Sequence, residues 1–466
     1  MGSIGVVSQS IRRRFRPYPK YKDSGIEWLG EIPEGWEMRR LKTLASVQLS
    51  NVDKKSFEGQ EPVRLCNYTD VYYHERITPD LDFMTATAMS NQLDRFSLRE
   101  GDVLITKDSE SWTDIAVPAV VAEDLPRVLC GYHLALIRPK RICFGPFLAR
   151  SFSAFGPRDQ FQLAANGITR FGLGGDAIAS GMFVIPPEPE QRVISAFLDR
   201  ETAKIDALIE KNERLIELLQ EKRTALITQA VTKGPDPSVP MKDSGVEWLG
   251  KIPMHWEVKP LSQILRRITY GFTNPMPVSE EGPFMLTAFD IGDGKVLYEN
   301  ARHTTNDAFE LNLTEKSKPR ENDILLTKDG TLGRVAVADG RRICINQSVA
   351  LLRFDKKLAI VDFFSFLLRS SVYQDRIIFE AGGTAIKHIY VSRLAKMPIA
   401  LPSNSEQSSI SIYLIREAAK LDALVYKIRQ AIDRLKEYRI ALISAAVTGN
   451  IDVQNDALDK SLRLIS

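Results

Sequence analysis

The chain has 466 residues, 44% of them hydrophobic and 26% charged, with 62 Lys and Arg against 59 Asp and Glu. That length exceeds one ordinary domain, and the composition is that of a globular chain, which excludes intrinsic disorder. No apolar run approaches the ~20 residues a spanning helix needs, and a net charge of +3 neither requires nor excludes a nucleic-acid partner, because the position of the charge decides that.

The opening MGSIGVVSQSIRRRFR has no apolar core ahead of a cleavage site, so a secretory signal is not expected. Val6 stands where a myristoylation signal needs Ser or Thr. Residues 1–20, with Arg12, Arg13, Arg14 and Arg16, read as a basic, solvated arm; phosphate contact is the alternative. Cys66, Cys130, Cys143 and Cys344 form no CxxC pair, and buried thiols in a reduced, cytoplasmic setting are expected.

Next comes KDSGIEWLGEIPEGWE at 22–37, which returns as KDSGVEWLGKIPMHWE at 242–257. GDVLITKDS at 101–109 answers NDILLTKDG at 322–330, and LALIRP at 134–139 answers VALLRF at 349–354. IDALIEK at 205–211 answers LDALVYK at 421–427. The offset stays between 215 and 221, so the chain is a tandem duplication; two units are too few for a solenoid. Residues 21–188 and 234–403 carry short β-rich runs broken by Gly, Pro and Asp, with helical patches between them, and read as two α+β domains.

Residues 189–233 and 404–448 read as long helices, the second followed by a tail at 449–466. Steps of four and three place Leu198, Ile205, Leu208, Leu215 and Leu219 on one seam, and Leu414, Leu421, Leu424, Ile428 and Leu435 on the other. A period of 3.5 keeps one face against a partner helix. Glu201, Asn212, Lys222 and Glu417 fall on the seams as polar positions that fix register. Roughly 40 residues make a rod of ~60 Å that cannot bury its seam alone. The duplicate helix is the expected partner. An antiparallel coiled coil would then carry a globular part at either end, with an approximate two-fold axis inside one chain.

Enzyme motifs are missing: the sequence has no GxxxxGK[ST] loop, HExxH, paired CxxC or GxSxG elbow. FGLGGD at 171–176 lacks the preceding buried strand of a cofactor loop and reads as a turn. The repeated Asp102 and Asp323 read as structural turn acids, and no catalytic or metal-binding residue is expected.

The doubled KDSGxEWLGxIPxxWE, the doubled GDxLxTKD-like segment and the PPxxEQ…FLD approach to a long helix (Pro186, Pro187, Glu190, Gln191, Phe197, Leu198, Asp199) together form a specific combination. It resembles the specificity subunit of type I restriction-modification systems over essentially the whole chain. The second half departs locally, with LPSNSEQ and IYLIRE. The resemblance implies two target-recognition domains, each binding half of a split double-stranded DNA site. It implies spacer helices that dock two adenine-methylating modification subunits and, through them, restriction subunits. S-adenosylmethionine, ATP and Mg are expected on those partners, with no cofactor on this chain. Because the β-rich interiors diverge while the frame repeats, two different half-sites are expected.

Base readout favours Arg, Lys, Asn and Gln. The loops after the paired TKD give Lys107, Ser109 and Trp112, then Lys328, Thr331 and Arg334. Segments NGITR and GGTAIKH give Thr169 and Arg170, then Thr384, Lys387 and His388. Further candidates are Tyr68, Tyr72, Arg127, Arg158, Arg341, Arg342, Asn346 and Gln347. A protein-bridging adaptor would differ in lacking salt-sensitive DNA binding, and a self-sufficient methyltransferase would bind S-adenosylmethionine.

Overall fold

A computed structural model describes residues 11, 14–382 and 387–454. The chain divides into two compact units, Met1–Asn212 with Arg429–Ser466, and Glu213–Ile428. Each unit combines a mixed α+β head with parts of both long helices.

In each unit the doubled opening sequence folds into a hairpin, Tyr21–Asp23 on Glu31–Pro33 and Met241–Asp243 on Lys251–Pro253. The KDSG turn explains its own spelling. The Asp23 carboxylate accepts the Gly25 N–H at 2.9 Å and Asp243 accepts that of Gly245 at 2.8 Å. Both glycines sit at φ +72°, where a side chain would be strained. The second tryptophan of each copy, Trp36 or Trp256, is buried in the core. Glu37–Arg40 then pairs with Met182–Ile185, and Glu257–Pro260 with Pro398–Leu401. The beginning and end of each head are thereby closed on each other just ahead of a long helix.

The middle of the first head is a five-stranded sheet in the order Ala45–Leu49, Leu134–Pro139, Val103–Thr106, Pro118–Val121 and Arg76–Ile77. The second head repeats it as Leu265–Tyr270, Val349–Phe354, Ile324–Thr327, Val335–Val337 and Gly294–Lys295. Successive side chains of a strand face opposite ways. Val103 and Ile105 therefore join one core and Leu104 another, just as Ile324 and Leu326 join one and Leu325 another. A sheet buried on both faces needs apolar residues at every position, which is why VLIT and ILLT do not alternate.

The long helices span Glu188–Lys233 and Asn404–Val447. Gln191 begins the first from a fully buried position: its amide donates to the Ile142 and Pro186 carbonyls at 3.0 and 2.9 Å and accepts the Phe144 N–H at 2.7 Å. Gln407 repeats all three bonds with Leu358, Pro402 and Ile360. In the first unit Asp206 meets Arg439 at 2.8 Å and Glu190 meets Gln454 at 2.6 Å, so the helices run antiparallel. In the second unit Arg223 meets Asp422 at 3.1 Å. Each of these arginines also reaches its own head, Arg439 to Glu75 at 2.5 Å and Arg223 to Asp293 at 3.3 Å.

The seam differs in phase from the expected one. Leu198, Ile205, Leu219, Leu414 and Ile428 are buried, and Leu421 and Leu435 half-buried. Leu208, Leu215 and Leu424 are exposed, and Ile209, Ile216 and Val425 turn inward in their place. Lys222 is exposed too, while Thr202 is buried and Arg223 half-buried on the inward face. Both phases have period 3.5, so the hydrophobic repeat alone is compatible with either. Asn212 donates within its own helix, to Leu208 O at 2.8 Å. Glu201 and Glu417 pair with Lys204 and Lys420 of their own helices at 2.7 and 2.9 Å.

The expected arm and tail are packed where they are described. Ile11 and Tyr18 belong to the first core, as do Ile451 and Val453. The Asp452 N–H donates to Arg16 O at 2.7 Å, and the Tyr18 hydroxyl to Glu190 at 2.7 Å. Arg12 and Arg13 lie outside the described residues. Among the described residues no helix is long and apolar enough to cross a membrane.

Candidate nucleic-acid interface

The paired TKD segments organise one end of each head. Thr106 is fully buried; its hydroxyl donates to Asp114 O at 2.8 Å and accepts the Val117 N–H at 3.0 Å, pinning the loop that follows. Thr327 does the same with Thr331 O and the Arg334 N–H. The loops close on left-handed residues, Ala116 at φ +60° and Gly333 at φ +79°. The first loop is the longer, and its extra length carries Ser111, Trp112 and Asp114.

Beside each loop lies a lysine–aspartate–histidine cluster. Lys107 reaches Asp108 at 2.6 Å, and the His133 ring meets the same carboxylate at 2.9 Å. Burial opposes ionisation of Asp108, but hydrogen bonds from His133 and Lys107 hold its pKa below the ordinary carboxylate value. With its Nδ1–H given to Asp108, His133 offers Nε2 to the Arg170 guanidinium at 2.9 Å. In the second head Lys328 reaches Asp329 at 2.7 Å, and His388 pairs with the same carboxylate.

A seven-residue finger, 166–172, stands on the first cluster, and the backbone pair of Gly382 and His388 takes the corresponding place in the second head. Asn166 and Gly172 exchange backbone hydrogen bonds of 3.1 and 2.9 Å, and Gly382 and His388 exchange bonds of 2.9 and 2.7 Å. The finger continues as strand Phe171–Gly172 paired with Asp108–Ser109. In the second head the pair is bridged at His388 to Asp329. Both candidate segments of each head therefore meet at one place.

Next to the finger, a cavity of about 610 Å³ is lined by Tyr68, Tyr72, Tyr73, Asp108, Glu110, Asp114, His133 and Arg170, among others. The Tyr68 and Tyr72 rings stack at 5.5 Å. The Asp114 carboxylate pushes the Tyr72 hydroxyl pKa up. The second head has a cavity of about 530 Å³ lined by Phe272, Phe289, Asp290, Asn300, Arg302 and Asn346, among others.

Several candidates take different positions from those expected. Lys328 is only 5% exposed, and Ser109 is buried and bonded to the Tyr68 hydroxyl at 3.3 Å. Lys328 and the half-buried Lys107 stay with their neighbouring carboxylates, and Ser109 also accepts the Ser111 N–H at 3.2 Å. Arg158 donates to Thr113 O at 3.1 Å and also braces a loop. Arg127, within strand Leu125–Cys130, pairs with Glu61 at 3.2 Å, and on the connection after Val337 Arg341 pairs with Asp339 at 3.4 Å and Arg342 with Glu310 at 2.6 Å. Asn346 accepts from the Ser348 hydroxyl at 2.6 Å. Trp112, Thr169, Arg170, Thr331, Arg334, Gln347 and Lys387 are exposed on or near these segments. Thr384 lies outside the described residues.

Asp102 and Asp323 are buried and accept bidentate bonds from Arg138 (2.7 and 2.8 Å) and Arg353 (2.6 and 2.9 Å). Each also accepts a backbone N–H three residues back, at 2.9 and 2.8 Å. Sequence reasoning missed Asp108, Asp329 and His133 as loop-holding groups. The repetition of TKD was the available signal for the two aspartates.

The model for the type I restriction modification DNA specificity domain matches residues 278–434. The EcoBI specificity subunit of Escherichia coli is 25% identical over 291 residues, which span 60% of this chain and 61% of that one. The EcoKI specificity subunit of Escherichia coli K12 is 21% identical over 441 residues, 91% of each chain. Among solved structures, a chain from a study of complex assembly and conformational transition of the type I R-M system aligns with a TM-score of 0.69. It shares 17% identity and covers 89% of this chain and 98% of its own. The HsdS subunit from Thermoanaerobacter tengcongensis aligns with a TM-score of 0.51 at 17% identity, covering 90% and 98%. The chain therefore shares its fold with these two solved chains, the second of them an HsdS subunit. The chain is thus similar to specificity subunits of type I restriction-modification systems, through the family model over residues 278–434 and through these curated relatives.

Proposed function

We propose that this chain is the sequence-reading subunit of a type I restriction-modification complex and has no catalytic residues of its own. Each head binds one half of a bipartite, asymmetric double-stranded DNA site. The long helices set the spacer and dock two adenine-methylating modification subunits, which in turn hold restriction subunits. S-adenosylmethionine, ATP and Mg belong to those partners, and the complex works in the cytoplasm. One observation carries this reading. The two heads share a frame down to the Lys–Asp–His cluster and the backbone pair beside it, yet differ in loop length and cavity lining. Shared scaffolds with different exposed side chains suit two readers of different sequences. Docking is supported by apolar side chains exposed on the helices, with Leu218, Ile412, Ile415, Leu424 and Tyr426 in the second unit alone.

The test is a single-molecule map of adenine methylation in the native genome, with and without this gene. Loss of one split, asymmetric motif is the expected result. An unchanged map in cells whose modification subunit is shown to be active refutes the reading.

A further inference from the structure

The finger 166–172 of the first head presents an isoleucine almost wholly to solvent: Ile168 is 95% exposed. Isolated exposed apolar residues are common, but this one cannot fold back. The loop is shut by the Asn166–Gly172 pair, and the Asn166 side chain donates to Ala164 O at 3.1 Å. Gly167 lies at φ +145°, and a Cβ there would fall 1.9 Å from Arg170 O, so the tight path depends on glycine. The Leu173 N–H donates to Lys107 O at 2.8 Å, which seats the finger on the TKD segment. A rigid, sheet-mounted loop with a bare apolar tip is built to press that tip on something.

What it presses on follows from the neighbours. Two residues on, the Arg170 guanidinium is oriented by the His133 ring, itself fixed by Asp108, which leaves its other N–H groups to donate outward. The cavity behind carries Asp108, Glu110 and Asp114. Carboxylates repel a phosphate backbone but accept hydrogen bonds from the amino groups of bases. Apolar tip, arginine donor and carboxylate acceptors match three features of the major groove: the thymine methyl, the guanine edge and the cytosine amino group.

We propose that this finger enters the major groove, with Ile168 packed on a thymine methyl and Arg170 donating to a nearby guanine. The inference rests on the reading that the heads bind DNA. It is tested with the complex of this chain and its modification subunits, on duplexes carrying the mapped motif. Each thymine is replaced in turn by deoxyuridine, which removes only the methyl, and each guanine by 7-deazaguanine, which removes N7. For the wild type, one deoxyuridine should weaken binding about fourfold, as expected for one methyl taken out of contact. That penalty should vanish in Ile168→Ala. One 7-deazaguanine should cost roughly fivefold, and that penalty should vanish in Arg170→Ala. Ile168 takes no part in the core, so its variant should melt with the wild type. The inference is overturned if no thymine methyl matters, or if its penalty survives in Ile168→Ala. Wild-type complex that prefers no motif-bearing duplex over a scrambled one overturns the DNA reading as well, so the two failures are told apart.

Discussion

Replacing Asp102 by Ala should loosen the first head and spare the second. Asp102 is 2% exposed and Arg138 22%, and the substitution removes both carboxylate bonds and leaves the Arg99 N–H without its acceptor. Breaking a buried pair by removing one member costs about 3–5 kcal/mol. The low end applies here, because Arg138 keeps some access to water and still donates to Ser97 O at 2.8 Å. At about 1.4 kcal/mol per decade, 3 kcal/mol raises opening roughly 150-fold. Hydrogen exchange resolved by peptide measures this in the intact chain. Amides of Val103–Thr106 and Leu134–Pro139 should exchange faster by that factor, while those of Ile324–Thr327 and Val349–Phe354, held by Asp323 and Arg353, stay unchanged. Adding Arg138→Met should recover most of the loss, since an apolar replacement of the whole pair is close to neutral. Unchanged exchange in the single variant, or a double variant as loose as the single one, would refute the argument.

The seam makes an adjacent-residue prediction: Ile209→Ala should cost about 1–3 kcal/mol in urea unfolding, whereas Leu208→Ala, at a residue 48% exposed, should cost under about 0.5 kcal/mol. Equal costs would restore the phase expected from leucines. Glu75 is pulled upward by burial, but Arg150 and Arg439 hold its pKa below the ordinary value, and Asp293 is held low in the same way by Arg369 and Arg223. A lowered folded pKa gives stability that is complete above the ordinary carboxylate range near ~4 and is lost as pH falls through the folded value. Melting temperature against pH should therefore fall below pH ~4, and less so in Glu75→Gln. The effect should be modest, because Glu75 is about half exposed and screened by salt. Adding one heptad to both long helices should change the spacer of the methylated motif and leave both half-sites as they were; an unchanged spacer counts against the helices as rulers.

Much of the frame is legible in the residues. KDSG spells its own turn through an aspartate that accepts from a left-handed glycine, and the glutamine of PPEPEQ and LPSNSEQ sits at the same three backbone bonds in both copies. The strand runs could be read because a sheet buried on both faces needs unbroken apolar residues. The seam phase could not. At 208–209 and 215–216, leucine and isoleucine are neighbours, so the repeat is satisfied in either phase and only the folded packing shows which is used. The candidate site was legible as a location, since both proposed segments of each head come together there. Individual roles were not. Lys107 and Lys328 look like free cations in a sequence and instead pair with an adjacent aspartate, and His388 joins Asp329 from 59 residues away.

The division of the chain also orders its synthesis. The second unit is one contiguous stretch, Glu213–Ile428, complete once those residues have left the ribosome. The first is discontinuous. Its head is translated first, yet Asp206 and Glu75 await Arg439, and Arg16 awaits Asp452. Closing so long a loop adds only logarithmically to the entropy cost, so the penalty falls on time rather than on final stability. The earliest-made head and the start of the first long helix pass most of translation without Leu442, Ile443, Ala446 and Val447, the second-helix residues that complete their shared core. During that interval they are the part of the nascent chain most exposed to aggregation and most in need of a chaperone.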